Sequence, residues 1–356
     1  MPILLDTARS GANPELHGDN CVTVGLVNNM PDAALDATER QFIGLVRAAS
    51  PGLIVRFKLF SLPEIPRSEQ ARLALATRYR DITELWDTHL DGLIVTGNEP
   101  RAPSLRDEPY WPSLTSLMAW AEHNTDSTIW SCLAAHAVVL YADGIERQPR
   151  KEKLFGVFDC DVIRAHALTF GMPSRFSVPH SRHNDLPAAA LIANGYRILT
   201  QSAATGADMF VGRERGTSLF LFFQGHPEYD ADSLAREFRR DLGRFLRGER
   251  DTFPQPPQGY FDEKASTLIE EFCARARMER GEKLIRQFPL KAIEDQLANT
   301  WQASAIGVYR NWFAYLQERK AGRRVSIWPV RRAGRAGAVG TRVKVSTLVD
   351  KPVALP

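Results

Sequence analysis

Cysteine is scarce in this chain: four residues in 356, at Cys21, Cys132, Cys160 and Cys273, spaced too widely for a disulfide framework or a zinc-type ligand set. Apolar runs stay well short of a membrane span. The opening MPILLDTARSG has neither the basic start nor the apolar length of a secretory leader, so none is expected. The glycines at 92, 97 and 144 stand alone, without the clustering that cradles a phosphate, and the histidines at 123, 136, 166, 180, 183 and 226 form no metal-ligand motif. Internal repeats are absent as well. These absences argue against stapled secreted domains, membrane spans, P-loop enzymes and zinc folds, and they fit a cytoplasmic enzyme with reduced thiols.

What is present suits a sizeable buried core: 44% hydrophobic and 24% charged residues, with a net charge of +3. The charge is uneven. From Arg323 onward eight basic residues face one acidic residue, so the tail carries +7 and the remainder −4. The tail's RRAGRAGAVGTR composition reads as a solvated extension rather than a nucleic-acid arm, and nucleic acid is not an expected partner.

Apolar runs at Val22 to Val27, Leu53 to Phe60, Leu93 to Thr96, Ser127 to Trp130, Arg197 to Thr200, Met209 to Val211 and Ser218 to Gln224 read as strands. Helical patterns lie between them, over 231–247 and over most of 261–319. The alternation predicts an α/β fold with a mainly parallel sheet covered on both faces. Residues 1–20 read as a loose arm, 21–320 as the α/β domain with a C-terminal helical addition, and 321–356 as the basic tail. Residues 150–190 read as short β-prone pieces forming a cap.

Two strand ends carry chemistry. Cys132 stands between the strand ending at Trp130 and the Ala- and Leu-rich helix that starts at Leu133 and stops at Asp143-Gly144. A thiol there meets the free amides and positive dipole end of the helix, which favour thiolate and a developing oxyanion. His226 follows the run SLFLFFQ, and Glu228 two residues on is placed to orient its imidazole. An arbitrary cysteine and histidine are more often a buried packing residue and a loop residue. The paired strand-end placement and the adjacent carboxylate raise the weight of a nucleophile–base pair acting through a thioester.

Beyond these residues, the segments QGHPEYDADSLAREFRRDL, GIERQPRKEKLFGVF, DGLIVTG with EPYWPSL, and VPHSR stand in an order that resembles the homoserine O-acyltransferase family, over about Val22 to Gln317. The resemblance implies a class I glutamine amidotransferase-like fold. It also implies acyl transfer from acyl-CoA, as co-substrate without a further cofactor, to the γ-hydroxyl of L-homoserine in methionine biosynthesis. By that resemblance Cys132 is the acylated nucleophile, His226 the base and Glu228 its partner. Lys153, Ser181, Glu237 and Arg240 line the amino-acid site, where a guanidinium fork suits a carboxylate and an anion suits an ammonium. A homodimer is compatible with it.

The chain also departs from the family. After Met30-Pro31 the family carries a basic stretch contributing to the oxyanion site, whereas this chain has Asp32-Ala33-Ala34-Leu35-Asp36-Ala37. Arg101 occupies the position where glycine marks succinyl-specific and glutamate acetyl-specific members. Its guanidinium suits a succinyl carboxylate, with Glu99 as a competing partner, so succinyl is weakly favoured over acetyl. Leu133 replaces a common aromatic residue. A serine acceptor, a glutamine amidotransferase-like hydrolase and a non-catalytic binding protein remain alternatives. The hydrolase is disfavoured by Trp130 and Ala134, where those enzymes place glycines two residues either side of the nucleophile.

Overall fold

A computed structural model describes residues 3–7, 20–212 and 216–322. In chain order its elements are β1 (Ile3–Asp6), β2 (Cys21–Val27), α1 (Asp32–Ala49), β3 (Ile54–Phe60), α2 (Glu69–Arg78), α3 (Thr83–Trp86), β4 (Leu90–Val95), α4 (Trp111–Asn124), β5 (Thr125–Ser131) and α5 (Leu133–Asp143). There follow β6 (Gln148–Val162), β7 (Arg175–Asp185), α6 (Ala188–Ala193), β8 (Arg197–Ile198), β9 (Thr200–Ser202), β10 (Gly206–Ala207), β11 (Met209–Val211) and β12 (Leu219–Phe223). The chain ends in helices α7 (Ser233–Leu246), α8 (Glu263–Met278), α9 (Leu290–Glu294) and α10 (Gln302–Lys320).

An eight-stranded sheet of order β1-β3-β2-β4-β5-β12-β11-β8 forms the centre. Every neighbouring pair from β1 to β12 is parallel, and β11 alone is reversed, pairing antiparallel with both β12 and β8. The expected mainly parallel α/β fold is therefore present. Its central strands read as unbroken apolar runs because both faces are covered. On one face α1 presents Leu35, Phe42 and Val46, and α10 presents Val308, Trp312 and Leu316, to Val22, Val24 and Leu26. On the other, α4, α5 and α6 contribute Leu114, Leu117, Val138, Val139 and Leu191. A third cluster joins Leu234, Phe238 and Leu242 of α7 to Ile269 and Phe272 of α8.

The stretch expected as a loose arm places Ile3–Asp6 as an edge strand along β3. The region expected as short β pieces is instead a long antiparallel pair, β6 and β7, extended through β9 and β10 into a second four-stranded sheet. Pro179 is tolerated because β7 is the outer strand, where a missing amide donor costs no ladder bond. The run Arg197 to Thr200 also divides: β8 joins the large sheet and β9 the small one. The C-terminal helical region is interrupted at Gly281 and Pro289. The basic tail from Arg323 lies outside the described residues. No described helix is long and apolar enough to cross a membrane.

The site depends on how closely α10 lies on β4. The Trp312 side chain is fully buried, its indole N–H donates to Ser127 Oγ at 2.9 Å, and that hydroxyl donates to the Leu219 carbonyl at 2.7 Å. A Cβ at Gly92 would lie 2.7 Å from the Trp312 ring and 2.9 Å from Leu316 Cδ1. Gly92→Ala is therefore expected to destabilise by about 1–3 kcal/mol through overpacking, and Trp312→Ala by about 3–5 kcal/mol through a cavity. Urea midpoints of both variants check this; unchanged midpoints would show that α10 does not seat there.

Candidate active site

β5 and β12 are parallel neighbours, with Ser131 opposite Phe223, so the residues that follow them leave the sheet side by side. Cys132 is the first residue beyond β5 and the N-cap of α5, with φ 51° and ψ −111°. It is the sole non-glycine residue with positive φ among the described residues. Such a conformation costs on the order of 1–3 kcal/mol and persists where surroundings over-determine it. Here its amide donates to the Phe223 carbonyl at 2.7 Å and its carbonyl accepts from the Ala135 and His136 amides. The first amides of α5, beginning with Leu133, have no acceptor within the helix. The loop after β4 closes against this elbow: a Cβ at Gly97 would stand 2.6 Å from Leu133 Cβ and 2.9 Å from its amide nitrogen. Glycine at 97 is thus a condition of the close approach.

His226 lies three residues beyond β12, 8% exposed. Its amide donates to the Pro179 carbonyl at 2.9 Å, tying it to β7. Nδ1 bonds Glu228 Oε1 at 2.8 Å, which leaves Nε2 for the Cys132 sulfur that also hydrogen-bonds the ring. Burial opposes the charged imidazole, but the Glu228 carboxylate and the Cys132 sulfur outweigh it and hold the His226 pKa well above its ordinary value. The Cys132, His226 and Glu228 predicted from sequence are therefore brought together.

A second cluster gathers Lys153 of β6, Ser181 of β7, and Glu237 and Arg240 of α7. Ser181 Oγ donates to Glu237 Oε2 at 2.5 Å, Lys153 Nζ lies 3.6 Å from Glu237, and Arg240 Nη2 lies 3.7 Å from it. The arrangement is more than a surface i,i+3 pair, because three elements converge on one carboxylate. Sequence reading missed two members. Asp241, 5% exposed, accepts from Lys153 Nζ at 3.0 Å and lies 3.3 Å from Arg240. Burial raises its pKa, but Lys153 and Arg240 outweigh this and hold the carboxyl below its usual range. Its position four residues after Glu237 was the available signal. Tyr229, inside the HPEYD segment, donates to Glu237 Oε1 at 2.5 Å and stacks on His226 with centroids 4.3 Å apart.

Arg101 is not drawn into either cluster. Its side chain is exposed, and its amide donates to Glu108 Oε1 at 2.5 Å. Glu99 does not claim it: Arg244 holds Glu99 through two bonds of 2.9 and 3.0 Å. After Met30-Pro31 the acidic stretch forms the first turns of α1. The cation nearby is Arg67, whose two Nη groups donate to the Met30 and Asn28 carbonyls, Ser61 and Asp32. Buried Cys160, His180 and Asp208 place potential ligand atoms within 4.8 Å of one another. The Arg182 guanidinium donates to His180 Nδ1 at 2.8 Å, so the ring's proton sits on Nε2 and no lone pair there is free for a cation. Asp208 instead accepts from the Gly225 amide at 3.2 Å, beside His226.

Residues 13–322 match the family model for homoserine O-succinyltransferase. The chain is 48% identical over 295 residues to a homoserine O-succinyltransferase of Rhodopseudomonas palustris, covering 83% of this chain and 88% of that protein. It is 49% identical over 298 residues to that of Methylorubrum extorquens, covering 84% and 88%. Among solved structures, a glutamine amidotransferase from Thermotoga maritima aligns with TM-score 0.42 and 13% identity, over 85% of this chain and all of that one. The chain belongs to the homoserine O-succinyltransferase family of acyltransferases.

Proposed function

We propose that this chain moves a succinyl group from succinyl-CoA to the γ-hydroxyl of L-homoserine through a thioester on Cys132. The observation that carries the reading is Cys132 on a strained elbow, in hydrogen-bond contact with a His226 whose other nitrogen is held by Glu228. In the first half-reaction the Cys132 thiolate attacks the thioester carbonyl, and the Leu133 amide, unpaired within its helix, is assigned to the developing oxyanion. The tetrahedral intermediate collapses as CoA leaves, taking the proton held on His226 Nε2. In the second, the homoserine hydroxyl gives its proton to Nε2 and attacks the acyl carbonyl, and Cys132 leaves as thiolate. Glu228 keeps Nδ1 protonated in both steps, as a triad carboxylate does. Acyl-CoA is the co-substrate, and no prosthetic group enters these steps.

For the acceptor, Arg240 is the residue assigned to the amino-acid carboxylate and Glu237 the one assigned to its ammonium, with Lys153 and Ser181 holding Glu237 in place. For the donor, the name shared by the relatives favours succinyl. Arg101 is assigned to the distal carboxylate, and the engagement of Glu99 by Arg244 leaves its guanidinium unneutralised from that side.

A donor-by-acceptor matrix of succinyl-CoA and acetyl-CoA with homoserine and serine, read as CoA release, tests the assignment. Succinyl-CoA with homoserine is expected to be the fastest pair; turnover with serine alone would overturn the acceptor. His226→Ala should cost roughly a hundredfold or more in kcat. Arg240→Lys keeps charge but loses the fork, so it should raise homoserine KM and leave acyl-enzyme formation intact. Equal damage to both half-reactions would instead indicate a structural role. Arg101→Ala should remove a charge-assisted contact, lowering succinyl over acetyl preference by about ten- to a hundred-and-fifty-fold. Both donors slowing alike would remove Arg101 from the pocket.

A further inference from the structure

We infer that Tyr229 is a positioning residue that joins the base of the reaction to the acceptor-binding carboxylate, so that transfer to the acceptor depends on it more than acylation does. The inference rests on the function proposed above. Its geometry comes from one turn. The chain His226-Pro227-Glu228-Tyr229 closes with the Tyr229 amide on the His226 carbonyl at 3.2 Å. That turn sets Glu228 against the edge of the imidazole and the Tyr229 ring against its face, with the two rings 18° from parallel.

The Tyr229 backbone is itself clamped. Its carbonyl accepts from the buried Trp301 indole at 2.9 Å and from Asn299 Nδ2 at 3.3 Å, both just ahead of α10. With that anchor the phenol is rigid, and its hydroxyl reaches Glu237 Oε1 while Ser181 takes Oε2. Two hydroxyl donors, one on each oxygen, fix the plane of the carboxylate and leave its remaining lone pairs for an ammonium. A single side chain therefore sets the distance between the proton acceptor and the acceptor's anchoring group. A small misplacement there costs rate because the attacking hydroxyl must lie within reach of Nε2.

The ring has a separate effect. A protonated imidazole lying over the phenol face gains from the ring quadrupole. The other groups facing His226 are the Cys132 sulfur from the elbow, Glu228 from its own turn, and His180 and Asp208 from β7 and the residue before β11. Removing the ring while keeping these should make the imidazolium easier to deprotonate.

Two variants separate the effects. Tyr229→Phe keeps the stack and loses the hydroxyl. Tyr229→Leu loses both. Rapid-mixing measurement of CoA release without acceptor reports acylation, and release in the presence of homoserine reports transfer. Tyr229→Phe is expected to slow transfer about tenfold, with raised homoserine KM, while acylation changes by less than about twofold. NMR titration of the His226 ring should show a midpoint close to wild type in Tyr229→Phe and about one pH unit lower in Tyr229→Leu. Equal slowing of both half-reactions by Tyr229→Phe, or an unmoved midpoint in Tyr229→Leu, would overturn the inference. Wild-type enzyme releasing no CoA without acceptor would instead sink the thioester reading, and the titration would still judge the stack.

Discussion

The parallel pairing of β5 with β12 is the constraint on which the site depends. With Ser131 opposite Phe223, the next residue on one strand is Cys132, the proposed nucleophile, and three residues beyond the other is His226, the proposed base. Because the side-chain period of a strand is two, a one-residue slip in either strand would turn its core residues to the other face as well as misplace the thiol. The register is held from both sides of the sheet: Trp130 and Phe220 meet edge to face at 5.2 Å, and Trp312 locks onto Ser127 from α10. Core packing and site geometry are thus the same requirement.

Around that fixed pair the charged groups are arranged so that few are neutralised completely. Lys153 and Arg240 each approach both Glu237 and Asp241, and the two carboxylates share the two cations. Lys153, Glu237 and Asp241 are mostly removed from water, so the desolvation cost offsets much of their mutual attraction and the pairs add little net stability. In the function proposed above their value lies in preorganisation for a zwitterionic amino acid, with hydroxyls from Ser181 and Tyr229 bonded to the two oxygens of Glu237. The strap from Arg244 to Glu99 ties α7 to the loop that carries Gly97, so the helix bearing Glu237 and Arg240 and the loop abutting the elbow are linked directly.

The central strands were legible because two-sided burial writes them as apolar runs, and the elbow because a strand, a cysteine and an alanine-rich helix follow one another without a gap. The hairpin of β6 and β7 was not. Its strands are 15 and 11 residues long, but they carry exposed Arg, Lys, Glu and Asp together with Pro149 and Pro179, which mimic loop composition. The division at Leu199 was hidden because local apolar pattern says that residues are extended and nothing about which sheet they join. Ile3–Asp6 gained strand structure only by pairing with β3, a non-local partner. Lys153, Ser181, Glu237 and Arg240 came from family resemblance rather than periodicity, and Tyr229 escaped because stacking on His226 is a property of a turn seen only in three dimensions.

The thioester on Cys132 is the central claim, and intact-protein mass spectrometry with peptide mapping tests it most directly. Protein mixed with succinyl-CoA in the absence of acceptor, then quenched in acid, should gain one succinyl mass on the peptide containing Cys132, and addition of homoserine before the quench should remove it. A succinyl mass on another residue, or full turnover by Cys132→Ala with no adduct, would contradict the account.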